Sequence, residues 1–241
     1  AGTGALTDLL KCPQGHKCPL GSPTPVPCVG GEYQDEISQS VCKTCPAGYY
    51  CGSATVNPQL TPCQAGYYCP NGTSTFSQYS CPSGTFSNTT KLERVSQCES
   101  CTAGSYCEAT HLTEPTALCS AGYYCSGGAN VSNPHSSSSP YTISYVGNTC
   151  VTVKNHTMND ICPPGHYCPE GSAAPSQCPQ GTNSTSTGLL ASTDCPPCTA
   201  GFYCPNTGTI LATQQCLPGY FCPAGTGALT DLLKCPQGHK C

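Results

Sequence analysis

A seven-residue motif, C-x-x-G-x-x-C, recurs along the chain and dictates how it can fold locally. Its central Gly permits a turn with a positive φ angle, and the Pro or Ala before this Gly in most copies suits the earlier turn position. The Tyr or Phe beside the second Cys can cover a bridge with its apolar face. The motif therefore predicts short hairpins and turns. Its nine copies begin at Cys12, Cys45, Cys63, Cys101, Cys119, Cys162, Cys198, Cys216 and Cys235.

The composition argues against a conventional core. The 241 residues include 25 Cys but no Trp, four Phe and one Met, while 24 Pro and 26 Gly leave little room for helices. Cross-links must therefore replace burial, at roughly 2–4 kcal/mol per bridge. We predict a small disulfide-rich fold of β-hairpins and turns, arranged as an elongated tandem-repeat array without a large hydrophobic core.

The same cysteine density indicates an oxidising environment, and we expect an extracellular protein, either secreted or part of a cell-surface fibre. Charged residues make up only 8% of the chain, and the net charge is −4. The Lys and Arg residues form no basic stripe, so we expect no nucleic-acid partner. No apolar run reaches the roughly 20 residues that cross a bilayer, so we expect no membrane span.

The sequence offers no arrangement typical of catalysis. Three C-x-x-C sequences, CKTC, CESC and CPPC, are similar to redox or zinc half-sites. A secreted chain would oxidise such thiols into framework disulfides. The six His are isolated, and we find neither a preorganised catalytic constellation nor a calcium loop. We expect no enzyme activity, no metal site and no cofactor other than N-linked glycans.

Glycans are expected because five asparagines begin the sequence N-x-S/T. In a secreted chain such asparagines accept bulky surface sugars, and we expect all five to be exposed. Asn148 begins the less common acceptor N-T-C. The five main sites are Asn71, Asn88, Asn130, Asn155 and Asn183.

Longer repeats are also present. Residues 224–241 repeat residues 1–18 without a mismatch, which gives a period of 224 − 1 = 223 residues and predicts a tandem array. We expect both copies to adopt the same local fold. Successive periods would be joined by a peptide bond, with Pro following Cys241, or by docking of separate subunits through their matching ends.

A second element consists of CPxG, a polar stretch and C-x-x-C. It runs from Cys81 to Cys101 and from Cys178 to Cys198, with a shorter version from Cys28 to Cys45. These elements divide the chain into units. The divisions are residues 1–27, the end of a preceding cysteine-rich unit; 28–80, unit 1; 81–177, unit 2 with an insertion at 126–149; and 178–241, unit 3.

The pattern CPxGT-x(n)-C-x-x-C-x-A-G-x-Y-C resembles the ephrin-receptor-like cysteine-rich repeat, which is related in layout to EGF-like modules and to the cysteine-rich domains of tumour necrosis factor receptors. Similar CPAGYYC arrays occur in giant extracellular proteins of protists and algae, including mastigoneme-like flagellar-hair components. Because a filament reuses the same unit, the identity of residues 1–18 and 224–241 favours a structural glycoprotein whose copies form a filament. The alternative is a receptor or adhesion ectodomain that binds a protein ligand.

The resemblance also implies that each long polar loop has its own bridge, namely Cys28–Cys42, Cys81–Cys98 and Cys178–Cys195. Two schemes remain open for the C-x-x-G-x-x-C motifs. One closes each motif locally, and the other joins neighbouring motifs in a staggered order, as in the receptor modules. We favour the staggered scheme. It pairs Cys45–Cys63, Cys51–Cys69, Cys101–Cys119, Cys107–Cys125, Cys198–Cys216 and Cys204–Cys222.

The number of cysteines in one period is odd. Of the 25 Cys, two belong to the repeated copy, which leaves 25 − 2 = 23. Under both schemes the unpaired residue is Cys150, beside the insertion, and we expect it to remain unpaired or to form an inter-chain link. A third scheme would join Cys150 to Cys162 and leave a different cysteine over.

Overall fold

The computed structural model of the protein describes residues 11–135, 159–230 and 233–240. The chain forms two compact units. The first ends at Ser100 and also contains Ala109–Pro115, and the second contains Cys101–Glu108 and continues from Thr116. The described residues form no α-helix, and they include three short 3₁₀ turns, at Pro58–Leu60, Val95–Gln97 and Ser192–Asp194.

Seven antiparallel hairpins, each made of two two-residue strands, are the regular elements of the described residues. Together with eleven disulfides, they confirm the predicted disulfide-rich fold of hairpins and turns. The hairpins are β1 His16–Lys17 with β2 Val26–Pro27, β3 Glu32–Tyr33 with β4 Lys43–Thr44, β5 Thr85–Phe86 with β6 Glu99–Ser100, β7 Ser105–Tyr106 with β8 Ala117–Leu118, β9 Tyr123–Tyr124 with β10 Asp160–Ile161, β11 His166–Tyr167 with β12 Ser176–Gln177, and β13 Phe202–Tyr203 with β14 Gln214–Gln215.

Every hairpin belongs to a repeated structure that we call a rung and name by the number of its first residue. A rung begins with C-x-x-G, and its Gly has a φ angle between 73° and 89°. The residue after this Gly donates its N–H back three residues, as from His16 to the Pro13 carbonyl at 3.3 Å. A positive φ at the third position of such a turn is the requirement that Gly meets. The described rungs are 12, 28, 45, 63, 81, 101, 119, 162, 178, 198, 216 and 235.

Within each of the two units, backbone hydrogen bonds connect each rung to the next. Between rungs 28 and 45, the Gly31 N–H donates to the Cys51 carbonyl at 2.8 Å, and the Cys45 N–H donates to the Gly31 carbonyl at 2.9 Å. In the opposite direction, the Ala54 N–H donates to the Cys28 carbonyl at 2.9 Å. Equivalent bonds recur between successive rungs in both units. We call this hydrogen-bond pattern the ladder.

In the second unit, the rung before the insertion is hydrogen-bonded to the rung after it. Rungs 119 and 162 start 162 − 119 = 43 residues apart, whereas the other rung starts lie between 28 − 12 = 16 and 101 − 81 = 20 residues apart. The Gly122 N–H nevertheless donates to the Cys168 carbonyl at 2.8 Å, and the Cys162 N–H donates to the Gly122 carbonyl at 2.8 Å. The extra residues therefore leave the connection between these rungs unchanged.

The buried apolar residues are mainly cysteines, and they form small clusters within the rungs. Tyr124 of rung 119 packs with Cys162 and Cys168 of the next rung. Tyr106 of rung 101 likewise packs against the Cys119–Cys125 bridge with Ala129. The aromatic ring thus covers the bridge of the following rung, whereas the sequence suggested the bridge beside it.

The staggered disulfide scheme is wrong. The structure closes each motif locally, because the turn at the central Gly brings the two Cys Cα atoms to 5.8–6.3 Å, within the range of a disulfide. The local bridges are Cys12–Cys18, Cys45–Cys51, Cys63–Cys69, Cys101–Cys107, Cys119–Cys125, Cys162–Cys168, Cys198–Cys204 and Cys216–Cys222. The long loops have the three bridges that the resemblance implies, Cys28–Cys42, Cys81–Cys98 and Cys178–Cys195.

The two copies of the terminal repeat form the same turn where both are described. Gly15 and Gly238 have φ angles of 76° and 83°. The His239 N–H donates to the Pro236 carbonyl at 3.1 Å, as His16 does to Pro13 in the first copy. Cys150, Asn148 and Asn155 lie outside the described residues, so the expectations for these three residues stay predictions.

Candidate functional site: the glycine-spaced ladder

The Gly that opens each rung also sets how closely the rungs pack. A Cβ atom added to Gly15 would lie 2.5 Å from the Ala54 carbonyl oxygen, which belongs to the second rung along. A Cβ on Gly181 would meet the Gly225 carbonyl oxygen at the same distance, again two rungs along. Within a unit, each rung therefore binds the next by hydrogen bonds, and the absence of a side chain on Gly lets it approach the rung after that.

Rungs that follow another rung contain a second residue with left-handed backbone. Its N–H donates to the carbonyl of the first Cys of the previous rung. Four of these positions carry a side chain, at Ser38, Ala54, Lys91 and His111, with φ angles of 55–64°. The His111 N–H, for example, donates to the Cys81 carbonyl at 2.9 Å. Left-handed backbone disfavours residues other than Gly, so the ladder holds these four in a costly conformation. The ladder therefore overrides local preference.

Three rungs have a buried polar residue where the others have their second Cys. Gln34, Ser87 and Ser184 are at most 2% exposed. The Gln34 side chain donates to the Val41 carbonyl at 2.7 Å and accepts from the Glu36 N–H at 3.1 Å. In these rungs the first Cys instead forms a disulfide with the Cys at the end of the long loop.

In the sequence, these three rungs look like a separate element, because each lacks the second Cys of the motif. The spacing was nevertheless a usable signal, because CVGGEYQ, CPSGTFS and CPQGTNS differ from the seven-residue motif only at its last position. All three also have the positive-φ Gly at their fourth position. The two sequence elements therefore form one structural element. Its first Cys bonds either the second Cys of the motif or a Cys at the end of the long loop.

The predicted glycan acceptors differ in exposure. Asn71, Asn88 and Asn130 are exposed. Asn183 is only half-buried rather than fully exposed, and its amide nitrogen donates to the Ile210 carbonyl at 3.4 Å. The expectation that all acceptors are exposed is therefore wrong for Asn183, because it occupies the rung position where most others place an aromatic ring.

An exposed cluster of three charged side chains lies in the first unit. Lys43 Nζ lies 2.7 Å from Asp35 Oδ1 and 3.0 Å from Glu36 Oε1. The hydrogen bond from Lys43 holds the pKa of Asp35 below its usual value. The hydrogen bonds to Asp35 and then Glu36 raise the pKa of Lys43. Both groups therefore stay charged, and the cation is neutralised by its two neighbours.

Among the residues that the structure describes, no three His, Cys, Asp or Glu side chains are grouped so that they could hold a metal ion. None of the described segments forms a helix of the length and apolar character needed to cross a membrane.

No known protein family matches this chain, and a search of the curated proteins likewise finds no match. The features that bear on function are therefore the ladder itself and the side chains that it positions.

Proposed function

We propose that this chain is one period of an extracellular structural glycoprotein, whose periods follow one another in a filament or a hair-like fibre. The observation that supports the proposal most strongly is the repetition of the ladder. Eleven rungs, from rung 12 to rung 216, precede rung 235, which repeats the sequence of rung 12. A period therefore contains a whole number of rungs, and one period can follow another in register.

A ladder of this kind suits a mechanical role. Each rung contacts only its near neighbours, so stability is approximately a sum of similar local terms and does not depend on a central core. Each described rung from rung 12 to rung 216 also has its own disulfide. A pulling force that separated two rungs would leave the bridge within each rung intact.

The proposed location and coating follow from the same chemistry. A chain this rich in disulfides needs an oxidising environment to form and keep them. With only 8% charged residues, sugars at the exposed asparagines would keep neighbouring arrays apart. The resemblance to mastigoneme-like arrays supports the same proposal.

The filament proposal is tested on the native material by denaturing electrophoresis after reduction and deglycosylation, together with electron microscopy. We expect a polypeptide many times heavier than 24.8 kDa and fibres with a regular axial repeat. A single band near the mass of one chain, with no fibres, would contradict the proposal. That result would favour the alternative, a receptor or adhesion ectodomain.

The glycan proposal predicts occupancy at Asn71, Asn88 and Asn130, with lower occupancy at half-buried Asn183. Peptide mapping after enzymatic deglycosylation in heavy-oxygen water marks each occupied Asn by a mass increase. An unchanged mass at all of the exposed sites would contradict the sugar coat. Equal occupancy at Asn183 would show that its hydrogen bond to Ile210 does not restrict modification.

A further inference from the structure

A groove with a volume of about 580 Å³ lies in the first unit and is bordered by rungs 12, 28 and 45. Two aromatic rings, from Tyr33 and Tyr49, line it together with two prolines and Val56. Four polar side chains also line the groove: Gln14, Asp35, Asn57 and Gln59. Aromatic faces combined with several amide and carboxylate groups suit a ligand that is apolar on its faces and hydroxylated at its edges.

The two tyrosines are half-buried and held by the ladder. Tyr33 lies in β3 and pairs with Lys43 of β4. Tyr49 forms a bridge with Pro62, and Lys91 Nζ lies 5.3 Å from the centroid of its ring. Rings fixed in this way present an apolar surface at little cost in conformational entropy. The C–H groups of a pyranose carry a small positive charge, so they pack well on the negative face of such a ring.

The polar side chains are also oriented before any ligand binds. Gln14 Nε2 donates to the Asp35 backbone carbonyl at 2.6 Å, which leaves its Oε1 directed elsewhere as an acceptor. Asn57 Oδ1 accepts the Gln59 N–H at 3.0 Å, so its Nδ2 remains a donor. Asp35 accepts a hydrogen bond from Lys43 through Oδ1 at 2.7 Å, and its carboxylate lines the groove as an acceptor. Preorganised donors and acceptors lower the entropic cost of binding.

We propose that this groove binds a neutral pyranose unit of a glycan. Hydroxyl groups both donate and accept, and the groove offers a carboxylate acceptor, an amide acceptor and an amide donor around two aromatic faces. An anionic sugar is disfavoured, because Lys43 is already paired with Asp35 and Glu36. A proline-rich peptide would also pack on aromatic rings, but it would leave most of these polar groups unpaired.

The sugar has two possible sources. Asn71 Oδ1 accepts the Ala47 N–H at 2.8 Å, and Ala47 directly follows Pro46, which lines the groove. A glycan on Asn71 would therefore start one residue from the groove. This source rests on the proposed glycosylation of Asn71. The other source is a saccharide from outside the chain, and it does not depend on that proposal.

The binding test uses the disulfide-bonded chain after enzymatic deglycosylation, with maltotriose, cellotriose and mannotriose as probes in saturation-transfer NMR titrations. We expect at least one trisaccharide to bind, with a dissociation constant of about 0.1–1 mM. Tyr49→Ala should weaken binding at least about tenfold, since it removes one aromatic face. Tyr123→Ala changes the same rung position in the second unit and should leave binding unchanged.

A second variant guards against loss of folding. Asp35 is exposed, so Asp35→Asn keeps the shape of the groove and should weaken binding several-fold with an unchanged circular dichroism spectrum. The proposal is overturned if no trisaccharide binds, if Tyr49→Ala binds as well as the parent chain, or if a proline-rich peptide binds this groove and the sugars do not.

The untreated chain distinguishes the two sources. If the glycan on Asn71 fills the groove, trisaccharides will bind only after deglycosylation. If binding is equal before and after treatment, the natural ligand comes from outside the chain. Should mass analysis show no sugar on Asn71, the proposed coating fails at that residue, while trisaccharide binding would still support the groove as a sugar site.

Discussion

Gly104→Ala is expected to destabilise the second unit by about 2–5 kcal/mol. A side chain in left-handed backbone costs about 1–2 kcal/mol, and overpacking adds about 1–3 kcal/mol. Both costs apply here, because Gly104 has a φ angle of 83° and an added Cβ would lie 2.5 Å from the Gly171 carbonyl oxygen. Urea unfolding with the disulfides intact, followed by circular dichroism, measures the loss.

Gly201→Ala is the matched control. Gly201 has a φ angle of 85°, but no atom of the described residues lies within 4 Å of an added Cβ. This variant should lose only the backbone cost of about 1–2 kcal/mol. The difference between the two variants isolates the contact with the second rung along. Equal losses would show that Gly is needed only for its backbone angle.

Removal of the Cys162–Cys168 bridge by double substitution to Ala should cost about 3–4 kcal/mol. Opening a short ring contributes about 2 kcal/mol through the unfolded chain, and the loss of packing under Tyr124 contributes about 1–2 kcal/mol. Both cysteines are fully buried. The measurement is again urea unfolding, with intact mass used to verify the remaining bridges.

The same double substitution at Cys216 and Cys222 serves as its control. The Cys216–Cys222 disulfide joins cysteines with the same sequence separation of six, but Cys216 is only half-buried. The expected cost is about 2 kcal/mol, close to the ring-closure contribution alone. If the two bridges proved equally costly to remove, the packing of the Tyr124 aromatic ring on the Cys162–Cys168 bridge would contribute nothing measurable.

The turns and hairpins could be predicted from the sequence because they depend on local chemistry. Gly in C-x-x-G supplies the positive φ angle, and the residues that follow it pair with those before the next Cys, as Thr85 and Phe86 do with Ser100 and Glu99. The scarcity of large apolar residues likewise agrees with the small, cysteine-rich clusters that the described residues bury. These features need only the residue and its near neighbours.

The contacts between rungs could not be predicted in the same way. They are backbone hydrogen bonds, such as Gly31 N–H to Cys51, and a backbone group has no residue-specific signature. The disulfide pairing of the motifs could not be predicted for a related reason. Cys45 can reach Cys51 because of how tightly one turn closes, and the pairing of cysteines cannot be deduced from their spacing alone.

The buried polar residues illustrate a third limit. Gln34 is 1% exposed and would normally be assigned to the surface. Its burial is stabilised by hydrogen bonds to Val41 and Glu36, which come together only when the Cys28–Cys42 loop closes. The groove beside it was missed because its lining residues come from three different rungs.

The ladder is unbroken between rungs 119 and 162 although the connecting segment is long. The number of residues in a period can therefore change while the number of hydrogen-bonded rungs stays the same. A connecting segment that doubles in length costs only about 0.6 kcal/mol more to close. Foreign sequence placed between His135 and Asn159 would therefore leave the register of Gly122 with Cys162 and Cys168 intact. If periods are joined as we propose, such an array would act as a display scaffold that presents one grafted peptide per period.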